Sequence, residues 1–224
     1  MKKISRYIIS LALLLLPVIC YAEDTIRYPV NEMKGVRVGV DFSKFVFPFL
    51  FNYERSGFEA SVDVHVSKNM FAIVEAGWLH VNLARTDFLY KQFGTYGKIG
   101  IDYNLLKHKV PNINDMVYGG VRYGFSQFNH QAERITIPGY YWQPDLRRET
   151  IPLSSMNAHW LELLFGVKAE VLKNFYIGMS FRLKFRLIPP KDEFSIPYMI
   201  PGYGNGYEKS AISITYYLSY NISL

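Results

Sequence analysis

Two groups of hydroxyl, imidazole and carboxylate residues stand close enough along this chain to suggest acyl chemistry. Ser126, His130 and Glu133 form one; Ser154, Ser155, His159 and Glu162 form the other. A serine nucleophile needs a base within hydrogen-bond reach and a further group to orient that base, so either set would suit a hydrolase or acyltransferase working on lipid. His65 and Ser67 make a smaller pair. Metal chemistry has less to build on, because His65, His80, His108, His130 and His159 are scattered and Cys20 is the single cysteine. No spacing of the His-x-x-Glu-His type occurs, nor any phosphate-loop, dinucleotide or nuclease motif. No catalytic residue, no metal and no cofactor is therefore assigned.

The charged residues form a second constellation. Arg37, Lys98, Arg122, Lys168, Arg182, Lys184 and Arg186, with Asp41, Asp63, Glu75, Asp102, Glu162 and Glu170, recur at alternate positions among Gly and Ser. Opposite them run large apolar residues. If these charges share the inside of a narrow barrel, they must pair with one another, since an unpaired buried charge is costly. A plug of ion pairs is the expectation; a narrow basic channel past Arg182, Lys184 and Arg186 is the alternative.

A third pattern is the repeat of Ile137-Pro-Gly-Tyr140 as Ile200-Pro-Gly-Tyr203. Pro-Gly suits the centre of a type II turn, and Gly204-Asn205-Gly206 reads as another turn. Two long loops would then offer Tyr140, Tyr141, Trp142, Tyr198, Tyr203 and Tyr207, with Arg147 and Arg148, as a surface for a protein, glycan or lipid partner, because aromatics and Arg are the usual interface anchors.

The elements that must position these groups show in the period of the sequence. Ile212, Ile214, Tyr216, Leu218, Tyr220, Ile222 and Leu224 alternate with small or polar residues to the end of the chain, so one strand face suits hydrocarbon and the other water. Phe175–Leu187 repeats the pattern: Phe175, Ile177, Met179, Phe181, Leu183, Phe185 and Leu187 against Gly178, Ser180, Arg182, Lys184 and Arg186. Further strands are expected at Gly35–Phe42, Phe58–Val66, Phe71–Leu83, Thr95–Leu105, Met116–Phe128 and Leu161–Val171, the last with Leu164 as an apolar exception on its polar face. The third is the least regular, with Ala72, Val74, Ala76 and Trp78 facing lipid. Such strands exceed the ~5 to 6 residues usual in globular sheets and match the ~9 to 11 that cross a bilayer at a tilt. Trp160, Phe175, Tyr103, Tyr123, Phe125 and Tyr220 lie near apolar strand ends, where interfacial girdles form.

Links alternate between short (67–69, 107–115, 172–174) and long (54–57, 84–94, 129–157, 189–208). That asymmetry is typical of outer-membrane barrels, and an even strand number leaves both termini in the periplasm. A soluble sandwich or lipocalin-like barrel also alternates, but turns its apolar face inward.

At the N-terminus, Lys2, Lys3 and Arg6 precede the apolar run Ile8–Ile19 and Cys20-Tyr-Ala22, the three regions of a secretory signal. Cleavage after Ala22 is expected, with lipidation of Cys20 as the alternative, disfavoured by the bulky Ile19. Export takes three of the 25 Lys and Arg, leaving 22 against 19 Asp and Glu, so the basicity of the whole chain is no argument for nucleic-acid binding. The organisation read is a signal at 1–22, an N-terminal periplasmic segment at 23–34 and a barrel at 35–224.

With the phrases Gly35-Val-Arg-Val-Gly-Val-Asp41, Gly100-Ile-Asp-Tyr-Asn-Leu-Leu106, Val121-Arg-Tyr-Gly-Phe-Ser126 and Ala158-His-Trp-Leu-Glu162 in view, the chain resembles a family of small outer-membrane barrels from Bacteroidota catalogued as a domain of unknown function. In plan it is similar to the OmpA-type membrane domain. The resemblance implies a Gram-negative outer-membrane barrel and brings no catalytic residue; Leu224 departs from the aromatic usual at the end of such chains. The expectation is an all-β, eight-stranded antiparallel up-and-down transmembrane β-barrel of the outer membrane. Its structural or interaction role would involve membrane lipid, the barrel assembly machinery and an envelope or extracellular partner held by the loops. A porin-like channel and a lipid-modifying enzyme are the alternatives.

Overall fold

Alternation produces the wall. The computed structural model describes residues 35–44, 54–67, 69–86, 88–106, 115–137, 147–188 and 196–222. The signal at 1–22, the segment 23–34 and Leu224 fall outside them. The strands are β1 (Val36–Asp41), β2 (Arg55–Ser67), β3 (Met70–Ala84), β4 (Leu89–Asn104), β5 (Met116–Ile137), β6 (Arg147–Leu172), β7 (Phe175–Ile188), β8 (Met199–Ile200), β9 (Gly204–Asn205) and β10 (Ser210–Ile222). Eight of them close a barrel in the order β1-β10-β7-β6-β5-β4-β3-β2, with β8 and β9 forming a separate hairpin. Every wall pairing is antiparallel, including the seam, where Val36 lies opposite Ile222 and Asp41 opposite Tyr217. Closure removes the unpaired edges that an open sheet would leave in hydrocarbon.

The outer face of this wall is apolar across neighbouring strands. Register aligns Val38, Tyr220 and Phe175, then Met179 and Val167, and Leu163, Val121, Ile101 and Ala72, and all these side chains point outward. Buried positions between them hold charge instead: Arg37, Asp63, Glu75, Lys98, Arg122, Glu162 and Arg182 are all inside. A barrel greasy outside and ionic within is the inverse of a soluble one, and only hydrocarbon satisfies such an exterior. The barrel spans a bilayer.

Two expectations about the elements need correction. The links expected at 84–94 and 129–157 are mostly strand, since β3 reaches Ala84, β4 starts at Leu89, β5 reaches Ile137 and β6 starts at Arg147. The cause is a reversal of polarity. Beyond the belt the outward residues of β5 become Gln127, Asn129 and Gln131 while Phe128 and Ala132 point in; β3 likewise turns Val81 and Leu83 inward and His80 and Asn82 outward. A search for hydrocarbon-facing alternation loses such segments, which follow the rule of soluble sheets. Trp160, placed in the girdle, is wholly buried inside the barrel. Leu164, the apolar exception on the polar face, does point inward, where it joins an apolar floor with Phe71, Met116 and Tyr118. Tyr103, Tyr123, Phe125 and Tyr220 do face outward and are exposed.

The tight link after β6 works as expected: Asn174 takes a left-handed φ of 65°, and its carbonyl accepts from Asn221 N at 2.8 Å.

Candidate functional site

The interior is layered. At its middle, Glu75 on β3 receives Arg182 Nη1 at 2.8 Å, Lys98 Nζ at 3.1 Å and the Arg122 guanidinium. Arg122 also grips Asp102, at 3.0 and 3.2 Å. Glu162 takes Arg182 Nη1 at 3.1 Å and the Trp160 indole N–H at 2.7 Å. Nearer the short turns, Asp63 holds Lys168 at 2.6 Å and Arg37 at 3.0 Å. Cross-strand register builds two of these pairs, setting Glu75 opposite Lys98 and Arg37 opposite Asp63.

Among the described residues, the buried cations are Arg37, Lys98, Arg122, Lys168, Arg182 and Lys184, and the buried carboxylates are Asp41, Glu59, Asp63, Glu75, Asp102 and Glu162. The signs balance, which lets so many charges leave water together. Glu59 is absent from the charge pattern read in the sequence, although it shares the face of Ser61 and Asp63; it binds Lys98 at 3.1 Å and the Tyr96 hydroxyl at 2.7 Å. Two residues read as part of the network sit at its ends. Glu170 is half-buried and accepts from Asn174 N at 2.7 Å, while half-buried Arg186 donates to the Gly206 carbonyl.

Aromatic rings fill the space between charges. Arg37 lies 4.8 Å from the Tyr176 ring centroid and 5.5 Å from that of Phe71, Lys168 is 5.0 Å from Tyr118 and Arg182 is 5.4 Å from Tyr217. Each cation gains the negative ring face in a dry setting. Tyr118 and Tyr176 were missed because their hydroxyls make them neutral in an apolar-versus-charged alternation; position parity with Arg122 and Gly178 marks them, as alternation in the last strand marks Tyr217. A void of about 10 Å³ beside Arg37, Asp63 and Arg122 has room for about one water.

Above the charges the mouth is corked. Pro201 and Gly202 form the centre of a turn closed by Tyr203 N to Ile200 O at 3.1 Å, with Gly202 at φ +77°, as the type II expectation for this motif requires. The turn points into the barrel. Ile200 and Tyr203 pack with Tyr96, Phe128, Met156, Ala158 and Trp160, and Trp160 meets Tyr203 edge-on, centroids 5.9 Å apart. Trp160 can lie there because its cross-strand neighbour is Gly124, where a Cβ would come within 2.2 Å of the indole. Lys184 Nζ holds the cork by the Gly202 and Tyr203 carbonyls, at 2.7 and 3.2 Å, and Gln92 Nε2 holds Met199 O at 2.7 Å.

The family model of a domain of unknown function (DUF6048) matches residues 4–224. The chain belongs to this family. No curated protein matches it. Solved structures similar to it include Neisserial surface protein A (NspA), at 10% identity and a TM-score of 0.37 over 84% of this chain and 94% of that one. A major outer membrane protein from Thermus thermophilus is similar at 12% identity and a TM-score of 0.43, over 84% of this chain and 98% of that one.

The loop surface read in the sequence divides in this family member. Tyr203 must be removed from it: the side chain is 2% exposed, because its turn folds inward. Burial pushes its phenol above the ordinary value, keeping it a donor to Glu208 O at 3.1 Å. Tyr198 is partly tied down, accepting from Arg55 Nη2 at 2.6 Å while its backbone N–H donates to Tyr90 Oη at 3.2 Å. Tyr207 stands free in solvent, 59% exposed. Tyr140, Tyr141 and Trp142 lie outside the described residues, and Arg147 and Arg148 open β6 opposite Ile137 and Thr136.

The serine and histidine groups are separated by the wall or by length. Ser126 and His130 share the inward face but stand four strand positions apart, roughly 13 Å at about 3.3 Å per residue, and Ser126 Oγ donates to Thr95 O at 3.2 Å. Ser155 and His159 face outward with the same separation; His159 Nδ1 contacts the Tyr123 hydroxyl at 2.5 Å, and Glu162 is inside. Register does bring Ser154 opposite His130. His130 there meets the Tyr90 hydroxyl at 3.5 Å, which itself donates to Gln92. Among the described residues no group of three or more His, Cys, Asp and Glu could hold a metal ion.

Proposed function

We propose that this protein is an outer-membrane barrel of structural or interaction type, closed to ions, which offers the rim of its long-loop end to a partner outside the cell. The observation that carries the reading is the polarity reversal within single strands. On β5, Val121, Tyr123 and Phe125 face outward at one end, and Gln127, Asn129 and Gln131 at the other. Such a strand suits a protein half in hydrocarbon and half standing in water, with long loops outside and short turns in the periplasm. Membrane lipid would cover the belt, and insertion would need the barrel assembly machinery. The exposed rim supplies Tyr207 and Tyr198, and the surface read in the sequence adds Tyr140, Tyr141 and Trp142, with Arg147 and Arg148 at the start of β6, residue types that anchor interfaces.

Single-cysteine labelling tests this topology, because Cys20 is the only cysteine and precedes the expected cleavage point. A membrane-impermeant maleimide should label Tyr207→Cys and Asn157→Cys on intact Gram-negative cells, but Lys173→Cys only after the outer membrane is opened. Equal labelling of all three on intact cells, or recovery of the chain in the soluble fraction, would overturn the placement. For the partner role, deleting Tyr140–Arg148 should abolish capture from intact outer membranes while leaving insertion unchanged; capture that persists removes this surface from the reading.

A further inference from the structure

Between the apolar floor and the charge layer lies the void of about 10 Å³, bordered by Arg37 and Ser219 from one side and by Tyr118 and Arg122 from the other. In the closed strand order β1 and β10 stand across the lumen from β5, so the two pairs approach from facing walls. None of the four is more than 6% exposed. Among the described residues, Arg37 Nη1, Arg122 Nε, Tyr118 Oη and Ser219 Oγ are buried without a hydrogen-bond partner, although a buried donor without an acceptor bears its full desolvation cost. Two guanidinium N–H groups and two hydroxyls thus border one small space, each with a hydrogen to give.

The charges around this space are uneven. Above it, Lys98, Arg122, Arg182 and Lys184 are matched by Glu59, Glu75, Asp102 and Glu162. Arg37 and Lys168, by contrast, share one carboxylate, Asp63. Half-buried Glu170, two positions beyond Lys168, serves the turn, where it accepts from Asn174 N. The carboxylate that balances the buried total is Asp41, which accepts from Ser43 and lies four positions from Arg37 along β1, roughly 13 Å at about 3.3 Å per residue. The interior is neutral as a whole, yet beside the void it carries one positive charge in excess.

Sign, size and hydrogen-bond count together define the occupant. Two guanidinium groups repel a cation, and phosphate, sulfate or a carboxylic acid is too large for a space of about one water. A water accepts only two of the four hydrogens and carries no charge. A halide accepts all four and cancels the excess; it is only slightly larger than water, and the Ser219 hydroxyl can rotate toward it. Asp63 and Glu75 also border the void, but their oxygens are engaged, by Arg37 and Lys168 and by Arg122, Arg182 and Lys98.

We propose that the barrel interior binds a chloride ion in this void, held by Arg37, Arg122, Tyr118 and Ser219 as the counter-ion of the Arg37–Asp63–Lys168 cluster. The site is independent of any partner at the rim. Crystals of the full chain grown in sodium bromide test it directly, because bromide scatters anomalously at its absorption edge and water does not. An anomalous peak within hydrogen-bond distance of Arg37 and Tyr118 is the expected result; a water there with no anomalous signal overturns the proposal and leaves the membrane placement untouched. In solution, urea unfolding from lipid vesicles is followed at fixed ionic strength while gluconate, too large for the void, is exchanged for chloride. An ion that binds the folded state alone should lower the unfolding constant about tenfold for each tenfold rise in chloride above its dissociation constant. Identical unfolding curves in the two salts overturn the proposal. Tyr118→Phe combined with Ser219→Ala removes two donors with little change of volume and should raise the chloride concentration needed for half the effect at least tenfold, with heat-modifiable gel migration confirming the fold. A chloride dependence that survives intact in this double variant places the ion elsewhere and also overturns the site. The wild-type bromide map decides the matter by itself should the variant fail to fold.

Discussion

Glu75 accepts from three cations at once, and none of the three has another carboxylate that could replace it fully. Arg122 would keep Asp102, Arg182 would keep Glu162 and Lys98 would keep Glu59, but the layer would carry one uncompensated positive charge in a dry lumen. Glu75→Gln should therefore cost about 3–5 kcal/mol, the usual penalty for removing one partner of a buried pair. Urea unfolding from lipid vesicles, followed by tryptophan fluorescence, measures this. A loss below about 1 kcal/mol, the range of exposed pairs, would mean that water reaches the layer. Gly202 makes a second, different case. An alanine there must hold φ +77° and place its Cβ about 2.5 Å from the Tyr96 ring, so Gly202→Ala should loosen the cork with little effect on the wall, seen as faster cleavage within 196–209 by added protease and unchanged heat-modifiable migration. The inward charges were legible because parity on a strand is enough to collect them, and Glu59 obeys the same parity. Trp160 and Tyr203 were not legible. An aromatic side chain suits a girdle, an interface or a packed interior equally well, and the choice depends on Gly124 and on a turn that folds inward.

Individual strands carry two codes in succession, and this explains which boundaries the sequence revealed. Within the belt, Phe175–Leu187 alternates hydrocarbon with polar residues and agrees with β7 to within one residue, and the terminal pattern, read from Ala211 to Leu224, begins one residue after the start of β10, its last two residues lying outside the described ones. Past the belt, β3 and β5 keep the period but exchange the faces, and the outer halves of β5 and β6 looked like loop. The exchange is testable by arginine placement. Phe181 faces outward midway along β7, and Phe181→Arg should cost about 2–4 kcal/mol, as for a charge near the bilayer midplane. Asn157 also faces outward, in the outer half of β6, where Asn157→Arg should stay within about 0.5 kcal/mol, as surface substitutions do. Refolding yield into vesicles compares the two directly. Equal penalties would put Asn157 in hydrocarbon and erase the boundary between the two codes.

At the scale of the whole barrel, three layers stand in series along the axis: an apolar floor of Phe71, Met116, Tyr118 and Leu164, the charge layer about Glu75, and the apolar mouth of Tyr96, Phe128, Trp160 and Tyr203. Ion passage requires a continuous wet route, and each layer would have to open for one to exist. The cork is the only one of the three made by a loop; the other two are set by strand register and move only if the wall does. Replacing 197–206 by a short Gly-Ser link should thus expose the charge layer from the long-loop side without creating a pore. Planar-bilayer recordings are expected to show no stable conductance for the full chain, and none for the cork deletion. Stable conductance in the deletion alone would show that the loop, not the ion-pair layer, seals the barrel. Conductance in both would revive the channel past Arg182 and Lys184, because guanidinium and ammonium groups that line a water path cannot also be held as tightly by Glu75 and Glu162 as this packing requires.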